Sequence, residues 1–411
     1  MTTRANAPPI SEATVTALSQ RLNEPDWLLQ RRLDAWRAYE AMSMPNPLEE
    51  EWRRTDISGL DLDATLTAPP RPSGEIGLEV FPKGTPSKLV YMDLSQAATS
   101  HSELVEKHLH SLVKASDWKL QALQAALWRG ALIYVPAGVE LEAPVQHLVR
   151  GHEAATFHHL LIIAEANSSV TVVQQLESPD VGGQSLTSGA VEIICGPDAR
   201  VRFAETQRWG AKTYAFSTVR AHLDRGAELS AALVGLGGRL AKTKLEVTLA
   251  GEGSRAELLG LGYGDAKQHF DYVTLQDHIA PRTSSDLLFK AALDGESSTV
   301  WNGTVRIQKG AGQSEANQTS RNLLLSEHAK AAPIPVLEIE AYDVLRCSHG
   351  ATAGPLDEDQ RFYLESRGVP PAEAQRFLVE AFFREVLDRL PAGVDQEALE
   401  KAIAEKLGPA T

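Results

Sequence analysis

The sequence predicts a mainly β fold, a parallel β-helix core flanked by N- and C-terminal helical regions. Three observations carry this expectation. Small or polar turn residues ahead of successive strand-like stretches fall at Gly138, Ser168, Asp198, Gly226, Gly253, Arg282 and Gly310, at intervals of 30, 30, 28, 27, 29 and 28 residues. A fixed period in this range marks an array of stacked units. The stretches between, such as "SVTVVQQL" and "AVEIICGPDARVRFAE", alternate and are rich in β-branched residues, and the period leaves no room for long helices. Apolar stripes at three-and-four spacing flank the array on both sides. No unit can bury its own apolar face, whereas stacking creates one continuous interior. Eight or so coils at about 4.8 Å each give a rod roughly 40 Å long. Two packed antiparallel sheets are the alternative that the irregular motif permits.

Taken in order, residues 1–130 read as a helical region and linker, 131–350 as the β-helix core, and 351–411 as a C-terminal helical region. "SEATVTALSQRLN" offers Ser11 as a cap and Val15, Leu18 and Leu22 at helical spacing. In the next segment Pro25 suits a first turn, and Leu28, Leu29, Leu33, Trp36 and Tyr39 form a stripe. Pro45 and Pro47 break the pattern, and "TAPPRPSGEIG" is a Pro/Gly-rich connector. "SDWKLQALQAALWRG" reads as a further helix, with Asp117 near its start and Gly130 at its end. Beyond the core, Asp357 caps a helix that Gly368 stops. Pro370 and Pro371 open another, with Ala374, Phe377, Leu378, Ala381, Phe382 and Val386 as one oily stripe, and "DQEALEKAIAEKLG" closes the chain.

The 411 residues carry a formal net charge of −14, which opposes binding to nucleic acid or to an anionic membrane surface. No segment approaches a membrane span or a secretory signal. Two cysteines, Cys195 and Cys347, make a disulfide framework unsuitable and point to a reducing cytoplasm.

Cys347 and His349 are the candidate metal ligands. Side chains two apart on a strand project to one face, and thiolate sulfur and neutral imidazole both ligate iron or zinc. They make half a site, so the remaining ligands must come from another coil or another subunit. The competing reading makes Cys347 a small buried hydrophobe and His349 a residue bonded to a turn carbonyl. Cys195 reads as core. His158, His159, His269 and His278 read as hydrogen-bonded strand residues. "EANQTSRNLLLSEHAKAAPIP" reads as a polar ladder between coils. No catalytic residue is identified. The sequence lacks a Gly-x-x-x-x-Gly-Lys-Ser/Thr phosphate loop and a Gly-x-Ser-x-Gly elbow, and "LGLGYGD" reads as a turn. The oily C-terminal stripe either covers the end of the rod or docks a partner.

"LEIEAYDVLRCSHGATAGPLDEDQRFYLESRGVPPAEAQRFLVEAF" resembles the C-terminal signature of the SufB/SufD family of iron–sulfur cluster assembly proteins. The Cys-Ser-His-Gly-Ala-Thr run is most like SufD. "NQTSRNLLLSEHAKAAPIPVLEI", "EPDWLLQRRLDAWRAYEAMSMPNPLEEEWRRTDISGL" and "LQALQAALWRGALIYVPAGV" fit the same family, so the resemblance covers nearly the whole chain. Arg346 stands where the family usually has Lys. The resemblance implies a right-handed parallel β-helix and a non-catalytic scaffold. It implies pairing with a SufB-like paralogue, or with itself when alone, through the end of the β-helix, and a SufC-like ATPase bound by the C-terminal helices. It implies that His349, with Cys347 beside it, contributes to a transient iron–sulfur cluster at the partner interface, with none held tightly by the isolated chain. A SufB-like homodimeric sulfur-accepting scaffold and a β-helix polysaccharide-active protein are the alternatives.

Overall fold

The computed structural model describes residues 10–66, 76–77, 89–151 and 154–408. The connector read at 67–77 lies outside these residues except for 76–77. The helices are α1 (Glu12–Arg21), α2 (Asp26–Ala41), α3 (Leu62–Thr65), α4 (Leu94–Ser100), α5 (Ser102–His108), α6 (Lys119–Leu127), α7 (Glu358–Ser366), α8 (Pro371–Leu387) and α9 (Gln396–Lys406). The strands open with β1 (Ile76–Gly77), β2 (Val90–Asp93), β3 (Arg129–Val135), β4 (Val145–Arg150), β5 (Ala155–Ala164), β6 (Ser169–Glu177), β7 (Ser185–Cys195), β8 (Arg200–Arg208) and β9 (Thr213–Leu223). They continue as β10 (Glu228–Gly235), β11 (Leu240–Leu249), β12 (Arg255–Gly264), β13 (His269–His278), β14 (Ser284–Leu293), β15 (Ser298–Ile307), β16 (Glu315–Leu324), β17 (Lys330–Ile339) and β18 (Arg346–Pro355).

From β3 to β18 consecutive strands alternate between two sheets, so each coil adds one parallel strand to each. This is the parallel solenoid that the 28-residue rhythm predicts. Its periodic element is a backbone state. Gly138, Asn167, Asp198, Gly226, Gly253, Arg282 and Gln313 all have positive φ, between 56° and 74°. Each stands two residues before a residue that joins the first sheet, from Glu140, bridged to Ser169, to Glu315. Their amides stack the turns. Asn167 N–H donates to Pro197 O, Asp198 N–H to Arg225 O and Arg282 N–H to Gly312 O, at 2.8–2.9 Å. The sequence rhythm found five of these seven and missed Asn167 by one residue and Gln313 by three, since non-glycine residues also hold the left-handed state and leave no fixed residue type to mark it.

The core lies between the sheets. Val172, Phe203, Ala231, Leu258 and Leu287 are register partners on successive strands and are fully buried, forming one inward row along the rod. The segment "LGLGYGD" belongs to β12 and not to a turn. Gly260 and Gly262 sit on an inward row, where a Cβ would stand 2.3 Å from the Phe289 ring and 3.2 Å from the Tyr272 hydroxyl. These glycines make room for aromatic rings. Gly130 likewise lies inside β3, where a Cβ would meet the His159 carbonyl at 2.1 Å, and α6 ends earlier, at Leu127.

Helices cover the flanks. The helices α1, α2 and α6 pack through Val15, Leu18, Trp36 and Leu123 on Phe157, Leu186 and Phe216 of the second sheet. The helices α8 and α9 pack through Val379, Phe383, Val386 and Ile403 on Ala232, Val234, Leu259 and Leu261 of the first. The C-terminal stripe therefore covers a side of the rod and leaves its end bare. The buried face of α8 is Ala374, Val379, Phe383, Val386 and Leu387, while Phe377 stays 42% exposed. Apolar residues such as Phe377 and Ala381 also lie on the exposed side of α8, so spacing alone could not choose the buried one. At the other end of the rod, β1 pairs antiparallel with β4 and β2 with β3, closing both sheets.

Candidate functional site

The rod ends on β17 and β18, each the last strand of its sheet. On β18, Cys347 is the register partner of Ala316 and His349 that of Gln318. Gln318 in turn stacks on Leu287, so His349 is the next member of the inward row described above. The two candidate ligands thus share one face, as their spacing requires, with their Cα atoms about 6.6 Å apart along the strand. Gln318 is fully buried, whereas His349 is exposed, because no further coil stacks above it. Cys347 is half-buried against a small cluster of Val305, Ile307, Ala311, Ala316 and Ala341, and this burial pushes its thiol above the ordinary range.

Among the described residues no group of three or more His, Cys, Asp or Glu side chains is arranged to hold a metal ion. Cys347 and His349 are a pair at an open mouth, and a four-coordinate site there needs donors from elsewhere. Around the mouth, Ile339, Tyr342 and Leu345 are 46%, 94% and 65% exposed, a concentration of uncovered apolar surface at one end.

The other residues singled out by sequence lie elsewhere. Cys195 is fully buried in the core, its thiol pushed up to about 12 by burial, and no thiolate chemistry is accessible to it. His158 lies inside the rod and burial holds its imidazole down at about 3. His159 faces the helices and lies 2.9 Å from the Glu192 carboxylate. His269 contacts Ser298 at 2.8 Å, and His278 contacts Thr283 and Ser285, each at 2.7 Å. The polar ladder holds too. Asn317 donates to Asp286 at 2.9 Å and accepts from Ser348 at 2.9 Å, and Asn322 donates to the Thr352 carbonyl at 3.0 Å.

Sequence reasoning passed over the buried acids. Glu192 accepts from the backbone amides of His110, Leu112 and Val113 at 2.6–3.0 Å, tying the loop after α5 to the sheet. Asp271 forms a buried pair with Lys242 at 2.6 Å beneath the 42–61 segment. Glu205 lies on an inward row with one carboxyl oxygen lacking a partner, and burial raises it to about 8. For Glu192 and Asp271 the available signal was a carboxylate between two apolar or aromatic neighbours in a strand.

A second exposed feature lies on the C-terminal hairpin. Phe362 and Tyr363 of α7 are 70% and 56% exposed, and Phe377 of α8 is 42% exposed. The helix α8 is held to the rod by Arg389, which reaches Glu257 at 2.8 Å and Asp286 at 3.0 Å, and by Lys290, which donates to the Phe382 carbonyl at 2.8 Å.

Comparison with known proteins adds the family. Residues 147–382 match the profile described as "SUF system FeS cluster assembly, SufBD core domain", and residues 80–147 match that of the "SufBD protein N-terminal region". The chain is 29% identical to the iron–sulfur cluster assembly protein SufD of Bacillus subtilis, over 97% of this chain and 98% of the relative. It is 28% identical to an iron–sulfur cluster assembly SufBD family protein of Staphylococcus epidermidis, over 93% and 90%.

Proposed function

We propose a function from one premise: this chain belongs to the SufBD family of the SUF iron–sulfur cluster assembly system. It is a SufD-like scaffold subunit and not an enzyme. It pairs end to end with a SufB-like paralogue, or with a second copy when alone, and holds a SufC-like ATPase through its C-terminal helices, in the cytoplasm. The nascent cluster is cargo. His349 and Cys347 contribute part of its ligand set, and the partner contributes the rest.

The observation that carries this reading is the half-site at a bare rod end, two same-face donors with exposed apolar surface around them. Two donors alone bind iron weakly, and a second rod end brought against them would complete the set and exclude water. Ligation needs the deprotonated sulfur, and burial raises the Cys347 thiol, so metal binding there is pH-dependent. The exposed aromatic side chains of α7 and α8 support an ATPase contact. Closure of the ATPase would pull on α8, and its anchors on Glu257, Asp286 and Lys290 lie two and three strands from β18 in the same sheet. That is a short mechanical path to His349.

Anaerobic purification of the tagged chain from cells tests the assembly. An ATPase and a longer β-helix relative should accompany it, and recovery of neither would sink the reading. No helix among the described residues is long and apolar enough to cross a membrane.

A further inference from the structure

The interior of the rod is apolar along most of its rows, but in the first coils one row on each sheet is polar. On the first sheet His147, Gln174 and Glu205 are register partners on β4, β6 and β8, and all three are buried. On the second sheet an inward row runs from His158 through Gly189, Ser217 and Thr243 to Tyr272. The two rows meet across the core. His158 lies close enough to His147, and Tyr272 to Glu205, for charge on one to disfavour ionisation of the other. A polar column thus passes through the middle of these coils.

The protein does not satisfy this column by itself. Among the described residues, His158 Nδ1, both amide atoms of Gln174, one carboxyl oxygen of Glu205, Ser217 Oγ and Tyr272 Oη have no hydrogen-bond partner. Buried polar atoms are nearly always paired, and six bare ones would consume much of a fold's small net stability. The column also has room. Ser217 and its partner Thr243 keep some accessible surface although both point inward.

Its ends are defined. The Tyr91 hydroxyl meets His147 Nδ1 at 3.0 Å on one side. In the layer after Tyr272, the Phe289 and Trp301 rings stack with centroids 6.5 Å apart. The chemistry of the lining selects the occupant. Burial holds the His147 imidazole down at about 4 and the Glu205 carboxyl up at about 8, so near neutral pH the lining has no charge with which to recruit an ion. The amide, hydroxyl and carboxylic acid groups offer both donors and acceptors at short intervals, which suits a small neutral molecule able to do both.

We infer that the first coils of the rod enclose a column of ordered water molecules, bridging Gln174, Glu205, Ser217 and Tyr272 between the two sheets. Water held this way has the two to four polar partners that an internal site requires. Glu205 then serves as a hydrogen-bond donor to the column, and the coils from Phe289 onward are packed with rings where the earlier ones are packed with water. The column is a property of this chain alone and is independent of any partner.

A high-resolution crystal structure of the full chain tests it directly, with two variants beside it. The parent map should show a file of density peaks within hydrogen-bonding distance of Gln174, Glu205 and Ser217. Ser217→Ala, which removes one hydroxyl and little volume, should keep the fold and lose or displace the peak against it. Gln174→Met keeps the length of the side chain without its amide. It should lose the adjoining peaks and melt a few degrees below the parent, because the remaining waters lose partners. In a dry interior the same change would relieve two bare polar atoms and raise the melting temperature. A dry column in the parent map, or a Gln174→Met variant that melts at or above the parent, would overturn the inference.

Discussion

His349 is stacked on Gln318 as its register partner, one residue exposed and the other fully buried, although both occupy the same inward row. A position that is core in every earlier coil becomes a surface donor only because the stack ends there. His349→Ala and Cys347→Ser should therefore fold like the parent, with stability changes within about 0.5 kcal/mol for His349→Ala. Both should lower the iron and acid-labile sulfide recovered from the reconstituted complex, His349→Ala to background. A normal yield from His349→Ala removes that residue from the site.

The two thiols should differ in reactivity. Alkylation of the native chain by iodoacetamide, followed by mass spectrometry, should label Cys347 slowly and Cys195 only after unfolding. Because burial raises the Cys347 thiol, its labelling rate should still be climbing with pH above the value at which a free thiol levels off. Rapid labelling near neutrality would contradict its placement against Val305 and Ala316.

Glu192 holds three backbone amides of residues 110–113 and His159 from a fully buried position. Glu192→Ala strands these groups in the core and should cost about 3 kcal/mol in denaturant unfolding, while Glu192→Gln keeps an acceptor and should cost less. Equal stability of the alanine variant would mean that water replaces the carboxylate.

Glu205 gives a pH signature. Burial raises its carboxyl to about 8, against roughly 4.3 in an unfolded chain. Between these values the folded state holds a proton that the unfolded state has lost, so this residue's contribution to stability falls as pH rises through that window. Glu205→Gln keeps the shape without the ionisation. It should match the parent near pH 4 and exceed it at pH 8 by more than about 1.4 kcal/mol, the worth of one pH unit. Parallel profiles for the two proteins would show that Glu205 is ionised in the fold.

Phe362 and Phe377 are exposed aromatics that the rod does not use. Phe362→Asp with Phe377→Asp should leave the melting temperature within a few degrees of the parent and reduce capture of the ATPase at least tenfold. Undiminished capture would move the ATPase contact elsewhere.

Much of the fold was legible because stacking imposes a rhythm on the chain. The residues near 138, 168, 198, 226, 253 and 282 recur since each coil must turn at the same place. The interior escaped that reading. Gly260 and Gly262 look like a turn in sequence, and only the rings of Phe289, from the next coil, and Tyr272, from the facing sheet, explain them. The buried face of α8 was misjudged because Phe377 and Phe383 are equally apolar and differ only in what lies beneath them.

The sequence by itself determined the coil period, the helical flanks and the same-face pairing of Cys347 with His349, because each follows from local geometry and spacing along one chain. The tertiary structure alone decided that this pair lies at an uncovered mouth, that Gln318 stacks beneath it, and that α8 covers a flank. Those facts depend on which coil is last and on which surfaces from distant segments meet, and no periodicity within a single coil encodes either.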